Sequence, residues 1–238
     1  MPTVRSGARL AISYGYVPCI LGLCGPQDKK RKDIIIKYLK NPKKLEKEVE
    51  KILQDFKGAY PYYKLIAQAN KIKNPLNVKV VEAYWLGNSL LKKVKVSDFK
   101  QMMKDDFLPL GHMSAKKIKN MPKNALPYHS FHVLHIGSVT GRFKETRPGL
   151  DLCRVSWGKI KEIKKDKLVV ERQSIEFKKK ISLAKPVLKT ITWNKNILSK
   201  INIGDWVSIH WNTAIEKLDK NKLKNLKNYT QKVLRIVK

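Results

Sequence analysis

The sequence predicts an α+β fold, with an N-terminal helical bundle followed by a small OB-like β-barrel and a C-terminal helix. Three observations predict it. Apolar residues recur at helical spacing early in the chain, as in Leu45, Val49, Ile52, Leu53 and Phe56. After Cys153 the pattern changes to short runs between polar turns, such as Leu168-Val169-Val170 and Trp206-Val207-Ser208-Ile209-His210. Behind the N-cap residue Asp219, Leu223, Leu226, Tyr229, Val233 and Leu234 return to helical spacing. The expected division is a mainly helical domain over 1–150 and a barrel with its closing helix over 151–238.

Taken in order, residues 4–14 suit a short helix, and Gly15, Pro18, Gly22 and Gly25 predict a loop over 15–25. Cys19 and Cys24 lie in that loop. Cys24 is a candidate ligand, but no second cysteine pair exists to complete a structural zinc site. Pro26 reads as the first turn of a helix carrying Ile34, Ile35, Tyr38 and Leu39. Asn41-Pro42 breaks it and starts the next, which Gly58 ends. Tyr60-Pro61 opens a third. Asn74-Pro75 opens a fourth, apolar nearly all round from Val80 to Leu91 and therefore the central helix. Ser97 is the expected N-cap of a fifth. Residues 109–127 read as a connector with room for one short helix.

Between Pro127 and Gly137 three histidines recur at every third residue, His129, His132 and His135. The flanking Pro and Gly, with Phe131, Val133 and Ile136, favour a strand. On a strand only His129 and His135 share a face, ~20 Å apart, so they could not chelate one ion together. His129 and His132 remain candidates for metal ligation or acid–base work.

The net charge is +32. Residues 1–150 hold 29 Lys and Arg against 11 Asp and Glu, and residues 151–238 hold 22 against 8, so no basic tail stands apart. Lys outnumbers Arg 43 to 8, a poor ratio for bidentate phosphate and base contacts. The field still attracts RNA or another polyanion. No apolar run reaches the ~18 residues that span a bilayer, and the first residues lack the apolar core of a signal peptide. The expectation is a cytoplasmic protein with no membrane partner. Three cysteines do not make a disulfide framework. No Gly-rich phosphate loop, HExxH, GxSxG or paired-carboxylate arrangement is present.

The stretch from Cys153 onward carries a resemblance. Cys153 is followed, after four residues, by Gly158-Lys159-Ile160. A hairpin at Leu168-Val169-Val170 comes next, then Gly204-Asp205-Trp206-Val207, His210, Ala214-Ile215 and a final helix. In this order and spacing the region from Cys153 to Lys238 resembles the HypC/HupF hydrogenase-assembly chaperones. The resemblance implies an OB-like barrel in which the Cys153 thiolate is the metal ligand and His210 its neighbour. In that family the thiolate carries an iron–cyanide–carbonyl unit shared with a partner protein. Thiolate and imidazole together suit iron or zinc. The whole chain also resembles an uncharacterised family, through Cys24-Gly25-Pro26, Gly58-Ala59-Tyr60-Pro61, Glu82-Ala83-Tyr84-Trp85 and His129-Ser130-Phe131-His132.

The leading expectation is a non-catalytic, metal-handling or assembly-chaperone-like protein with a protein partner. It requires Cys153 and His210 within ~4–6 Å of each other, as two ligands of one ion must be. A basic RNA-binding adaptor using Trp157, Trp193, Trp206 and Trp211 is the alternative. An enzyme with His129, His132, Cys153 and His210 between the two halves is the third reading.

Overall fold

The computed structural model describes residues 6–237. Helix α1 spans Gly7–Ile20, with the Ser6 hydroxyl accepting the Arg9 N–H at its start. The expected loop over 15–25 thus begins only after Ile20, and Pro18 lies inside the helix. Residues 4 and 5 of the helix expected over 4–14 lie outside the described residues. A proline in a helix removes one donor, and the carbonyl left over is that of Tyr14, four residues back. That carbonyl is used elsewhere, as described below.

Helix α2 (Lys29–Lys40) starts after Pro26 because Asp28 caps it, accepting the Arg31 N–H at 2.9 Å. A 3-10 turn at Pro42–Lys44 leads into α3 (Glu46–Leu53), whose Val49, Ile52 and Leu53 are buried as their spacing predicts. Then come α4 (Tyr60–Ala69) and α5 (Val78–Leu86). Helix α5 is the centre of the bundle: Val80, Val81, Ala83, Tyr84 and Leu86 have no exposed surface. Helix α6 (Val96–Met102) begins at Lys95, so Ser97 sits inside its first turn and is not the N-cap. It widens into a π-turn over Met103–Phe107. Helix α7 (Ala115–Lys119) is the short helix of the connector.

The histidine segment is not a strand. Helix α8 (His129–Phe131) passes directly into a π-turn over His132–Ile136, which Gly137 ends at φ +84°. The Tyr128 carbonyl accepts both the Phe131 and the His132 N–H, which starts the turn. Helix α9 (Arg147–Cys153) follows, capped by Thr146.

Strands β1 (Ser156–Ile163) and β2 (Lys167–Arg172) form a hairpin. Strands β3 (Ile175–Phe177) and β4 (Ile181–Leu183) form a separate one. Strand β5 (Val187–Thr192) pairs with β2, and β6 (Trp206–His210) with both β1 and β7 (Thr213–Lys217). The result is a mixed five-stranded sheet in the order β1-β2-β5-β7-β6. Its two sides meet at a single parallel pair, Thr192 with Thr213, where the Thr192 N–H donates to the Asn212 carbonyl at 2.8 Å. The sheet therefore curls on itself and touches at one point; it is not the fully laced barrel expected from the strand pattern. Helix α10 (Lys220–Ile236) closes the chain, with Asp219 accepting the Lys222 N–H at 2.8 Å.

The concave side of the sheet holds a small core of Ile160, Leu168, Val170, Ile191, Val207 and Ile209. A larger apolar cluster runs from the helices into the sheet region and includes Tyr14, Trp85, Val155, Trp157, Ile215 and Tyr229. Among the described residues no helix is long and apolar enough to cross a membrane.

Candidate metal centre

His129, Cys153 and His210 each present one ligand atom to a common point, and these atoms lie within 4.8 Å of one another. They come from three elements: the start of α8, the end of α9 and the end of β6. A tetrahedral ion with bonds of about 2.0–2.3 Å holds its ligand atoms about 3.3–3.8 Å apart, so the three need to close by about 1 Å.

Cys153 is held by a buried charge cluster at its side. Asp151 accepts Arg154 Nε at 3.1 Å, Arg172 Nη2 at 2.8 Å and the Ile175 N–H at 2.9 Å. Arg154 is fully buried and also donates to the Gln173 carbonyl at 2.7 Å. These bonds tie the end of α9 to the sheet. Burial pushes the Cys153 thiol up to about 12, while Trp211 beside it acts the other way. The Trp211 indole N–H is buried and has no closer partner than the Cys153 sulfur, the group it is placed to donate to. A donor left in that state suits a neighbouring sulfur that becomes an anion. Trp211 and Asn212 form the β6–β7 turn with φ of +48° and +55°. Positive φ is costly for so bulky a residue, and here it puts the indole against the site.

His210 Nδ1 lies 2.7 Å from the Tyr14 carbonyl oxygen. A carbonyl only accepts, so Nδ1 carries the proton and Nε2 presents its lone pair. Nε2 is buried with no partner within hydrogen-bond distance, although the Cys153 carbonyl lies close enough to raise the ring's affinity for a proton. Pro18 makes this possible, because its missing N–H is the one that would bond the Tyr14 carbonyl within α1. Burial lowers His210 to about 4, so the ring is neutral at pH 7. Metal-ligating histidines characteristically give the other ring N–H to a carbonyl in this way.

His129 is also buried, and desolvation holds it well below its ordinary value, helped by His210 and His132. Its Nε2 lies 2.9 Å from the Cys153 carbonyl and its Nδ1 3.1 Å from the Tyr84 hydroxyl, which itself donates to the Gly58 carbonyl at 2.8 Å. The Cys153 carbonyl only accepts, so Nε2 carries the proton and donates to it. The ring can offer that nitrogen to an ion only by releasing the Cys153 carbonyl and shifting its proton to Nδ1, toward the Tyr84 oxygen.

All three ligands line one cavity of about 80 Å³ whose wall is otherwise mostly apolar, with Pro18, Leu23, Phe56, Val133 and Val139 among its residues. That is room for several water molecules or one small ligand. The open His210 Nε2 and the mixed thiol–imidazole donor set fit a metal ion.

Other expected residues fall around the centre. Cys24 lines the same cavity but is not in the ligand group, and burial raises its thiol far above the ordinary range. His132 also lines the cavity; its Nδ1 bonds Tyr62 at 2.9 Å and its ring stacks against His129 with centroids 6.4 Å apart. Burial lowers it to about 4. His135 stacks on Phe131, and Cys19 is buried near the Pro26 carbonyl. Tyr14, Pro18, Tyr84 and Trp211 belong to the centre and carry no ligand signal of their own. The available hint was Pro18 standing four residues after Tyr14 in a run that could be helical.

Fold and centre together define a mixed α+β protein with an internal His–Cys–His group able to take a metal ion. The chain belongs to DUF6390, a family of unknown function whose model matches residues 3–238. This agrees with the likeness of the whole chain to an uncharacterised family. No curated protein and no solved structure matches the chain. The HypC/HupF family does not enter through any of these comparisons, so that likeness rests on the local landmarks after Cys153.

Proposed function

We propose that this chain is a metal-handling protein that binds one zinc or iron(II) ion through His129, Cys153 and His210. The observation that carries the reading is the convergence of three soft or borderline ligand atoms within 4.8 Å, from segments far apart in sequence. The buried lone pair of His210 Nε2 supports it. Imidazole and thiolate suit zinc and iron, whereas the absence of a carboxylate from the group disfavours magnesium and calcium. The ligands line a mostly apolar pocket and Cys153 is only partly buried, so delivery of the ion to a partner protein, as in an assembly chaperone, would pass through the mouth of that pocket.

The test is metal content. Protein produced with zinc or iron(II) and passed through a desalting column should carry one ion per chain. Cys153→Ser and His210→Ala should each carry less than a tenth of that. Full loading in both variants rejects the proposal.

A second reading has its own observation. Three protein ligands leave a fourth position facing a cavity, which is the arrangement of catalytic rather than closed structural zinc sites. Added azide should shift the visible bands of the cobalt(II)-loaded protein if that position is open, and leave them unchanged if it is filled by the chain.

A further inference from the structure

Helix α10 has no acidic residue among its 17, but six cations: Lys220, Lys222, Lys224, Lys227, Lys232 and Arg235. Its apolar side, Leu226, Tyr229, Val233 and Leu234, is buried. Among the described residues of the helix only Lys222 is ion-paired, with Glu216 at 2.7 Å and Glu82 at 3.3 Å, while Lys227 and Lys232 lie over aromatic rings. The remaining polar side borders two clefts. One, of about 760 Å³, lies between α10 and the β3–β4 hairpin, with Lys180, Lys227 and Arg235 on its walls beside Gln173, Gln231 and Trp157. The other, of about 460 Å³, has Lys92, Lys232 and Arg235 with Asn225, Asn228 and Tyr229. Gln231 and Arg235 belong to both, so the clefts adjoin along the helix. Neither contains an Asp or Glu.

The geometry points to this double cleft as a binding site for single-stranded RNA, independent of the metal centre. The residues Lys227, Gln231 and Arg235 stand one helical turn apart and rise about 6 Å per step, which lines up donors along an extended phosphate chain. Amide side chains between the cations supply the neutral hydrogen-bonding groups that contact sugars and bases. An anionic membrane fits less well. A helix that lies on a bilayer needs an exposed apolar face, and the exposed large apolar residues are Ile20, Leu21, Ile163, Val187, Leu188 and Ile203, none of them on α10. The tryptophans expected to stack on bases are not the main feature. Trp157 is buried, and Lys227 lies over both Trp157 and Trp206, with its Nζ 4.7 Å from the Trp206 ring centre. Phosphate contact thus dominates over stacking.

The experiment titrates a fluorescein-labelled 12-nucleotide oligouridine with the full chain between 50 and 200 mM salt. The triple variant K180Q/K227Q/R235Q is compared with K40Q/K73Q/K123Q, which removes three exposed lysines outside both clefts. Each phosphate contact adds about 0.7 to the slope of log K against log salt. The cleft variant should lose about 2 in that slope and bind at least tenfold more weakly at 100 mM, while the control stays within twofold of the wild type. Equal weakening by the control, no change in the cleft variant, or uptake by phosphatidylglycerol vesicles without binding to the oligonucleotide overturns the proposal. Unchanged melting temperatures of both variants separate lost binding from lost folding.

Discussion

Pro18, Tyr14 and His210 form a chain of cause that ends in a ligand made ready. The proline takes away a helical donor, the carbonyl turns to the histidine, and the histidine is left with its lone pair inward. Pro18→Ala restores the donor. It should stabilise α1 by about 1 kcal/mol, since a proline inside a helix costs ~3 and the local structure has adapted to it. It should also weaken metal binding by about tenfold, the usual effect of losing a bond that orients a ligand. Calorimetry and a metal titration should therefore move in opposite directions; if both improve, the carbonyl does not orient His210. Asp151→Asn makes a second case. It leaves two buried guanidinium groups without their counter-charge, and the protein should lose about 3–5 kcal/mol in denaturant unfolding. At this scale the sequence pointed to Cys153 and His210 through landmark spacing. His129 stood beside them in the enzyme reading but only as a separate candidate in the metal reading, because nothing local says that residues 129, 153 and 210 meet.

The elements show why. The three-residue repeat of histidines reads as a strand when its neighbours are Phe, Val and Ile between Pro and Gly. In the fold these apolar residues are buried, and the chain meets its backbone bonds within a helical turn and a π-turn instead. A π-turn has no sequence signature that separates it from a short strand, and tertiary packing decides. The long amphipathic helices, by contrast, were legible, because an apolar stripe determines which face is buried whatever lies against it. Between elements, Gly87 is the point where α5 ends and α10 crosses. Its φ is +80°, and a methyl group there would stand 2.2 Å from the Tyr229 ring. Gly87→Ala should cost about 3 kcal/mol or more, from strain and overpacking together. A loss under 1 kcal/mol would mean that α10 is free to shift.

For the whole molecule, the apolar cluster shared by helices and sheet, with the Tyr14 hydroxyl 2.8 Å from both Ser208 and Glu216, predicts that the chain unfolds as one unit. Circular dichroism and tryptophan fluorescence should give coincident thermal transitions, and two separated transitions would contradict this. Acid should reveal the buried histidines. His132 and His210 fall from 6.5 to about 4 on folding, so the unfolded chain binds more protons over that window. Stability is full above pH 6.5 and falls as the pH drops toward 4, by on the order of 3 kcal/mol for each ring at the lower end. A metal-free protein equally stable at pH 7 and pH 4.5 would contradict the burial of these rings.

The same protonation states give the most direct test of the metal centre. At pH 7 both ligand histidines are neutral, but the Cys153 thiol, pushed up to about 12, still holds its proton. Binding an ion through its sulfur must therefore release one proton. Cobalt(II) titrated into the protein should produce a thiolate-to-metal absorption in the near ultraviolet. Its apparent affinity should rise about tenfold per pH unit from pH 6 to 8, and Cys153→Ser should abolish the band. A band that survives in Cys153→Ser, or an affinity that is flat with pH, would contradict a centre built on His129, Cys153 and His210.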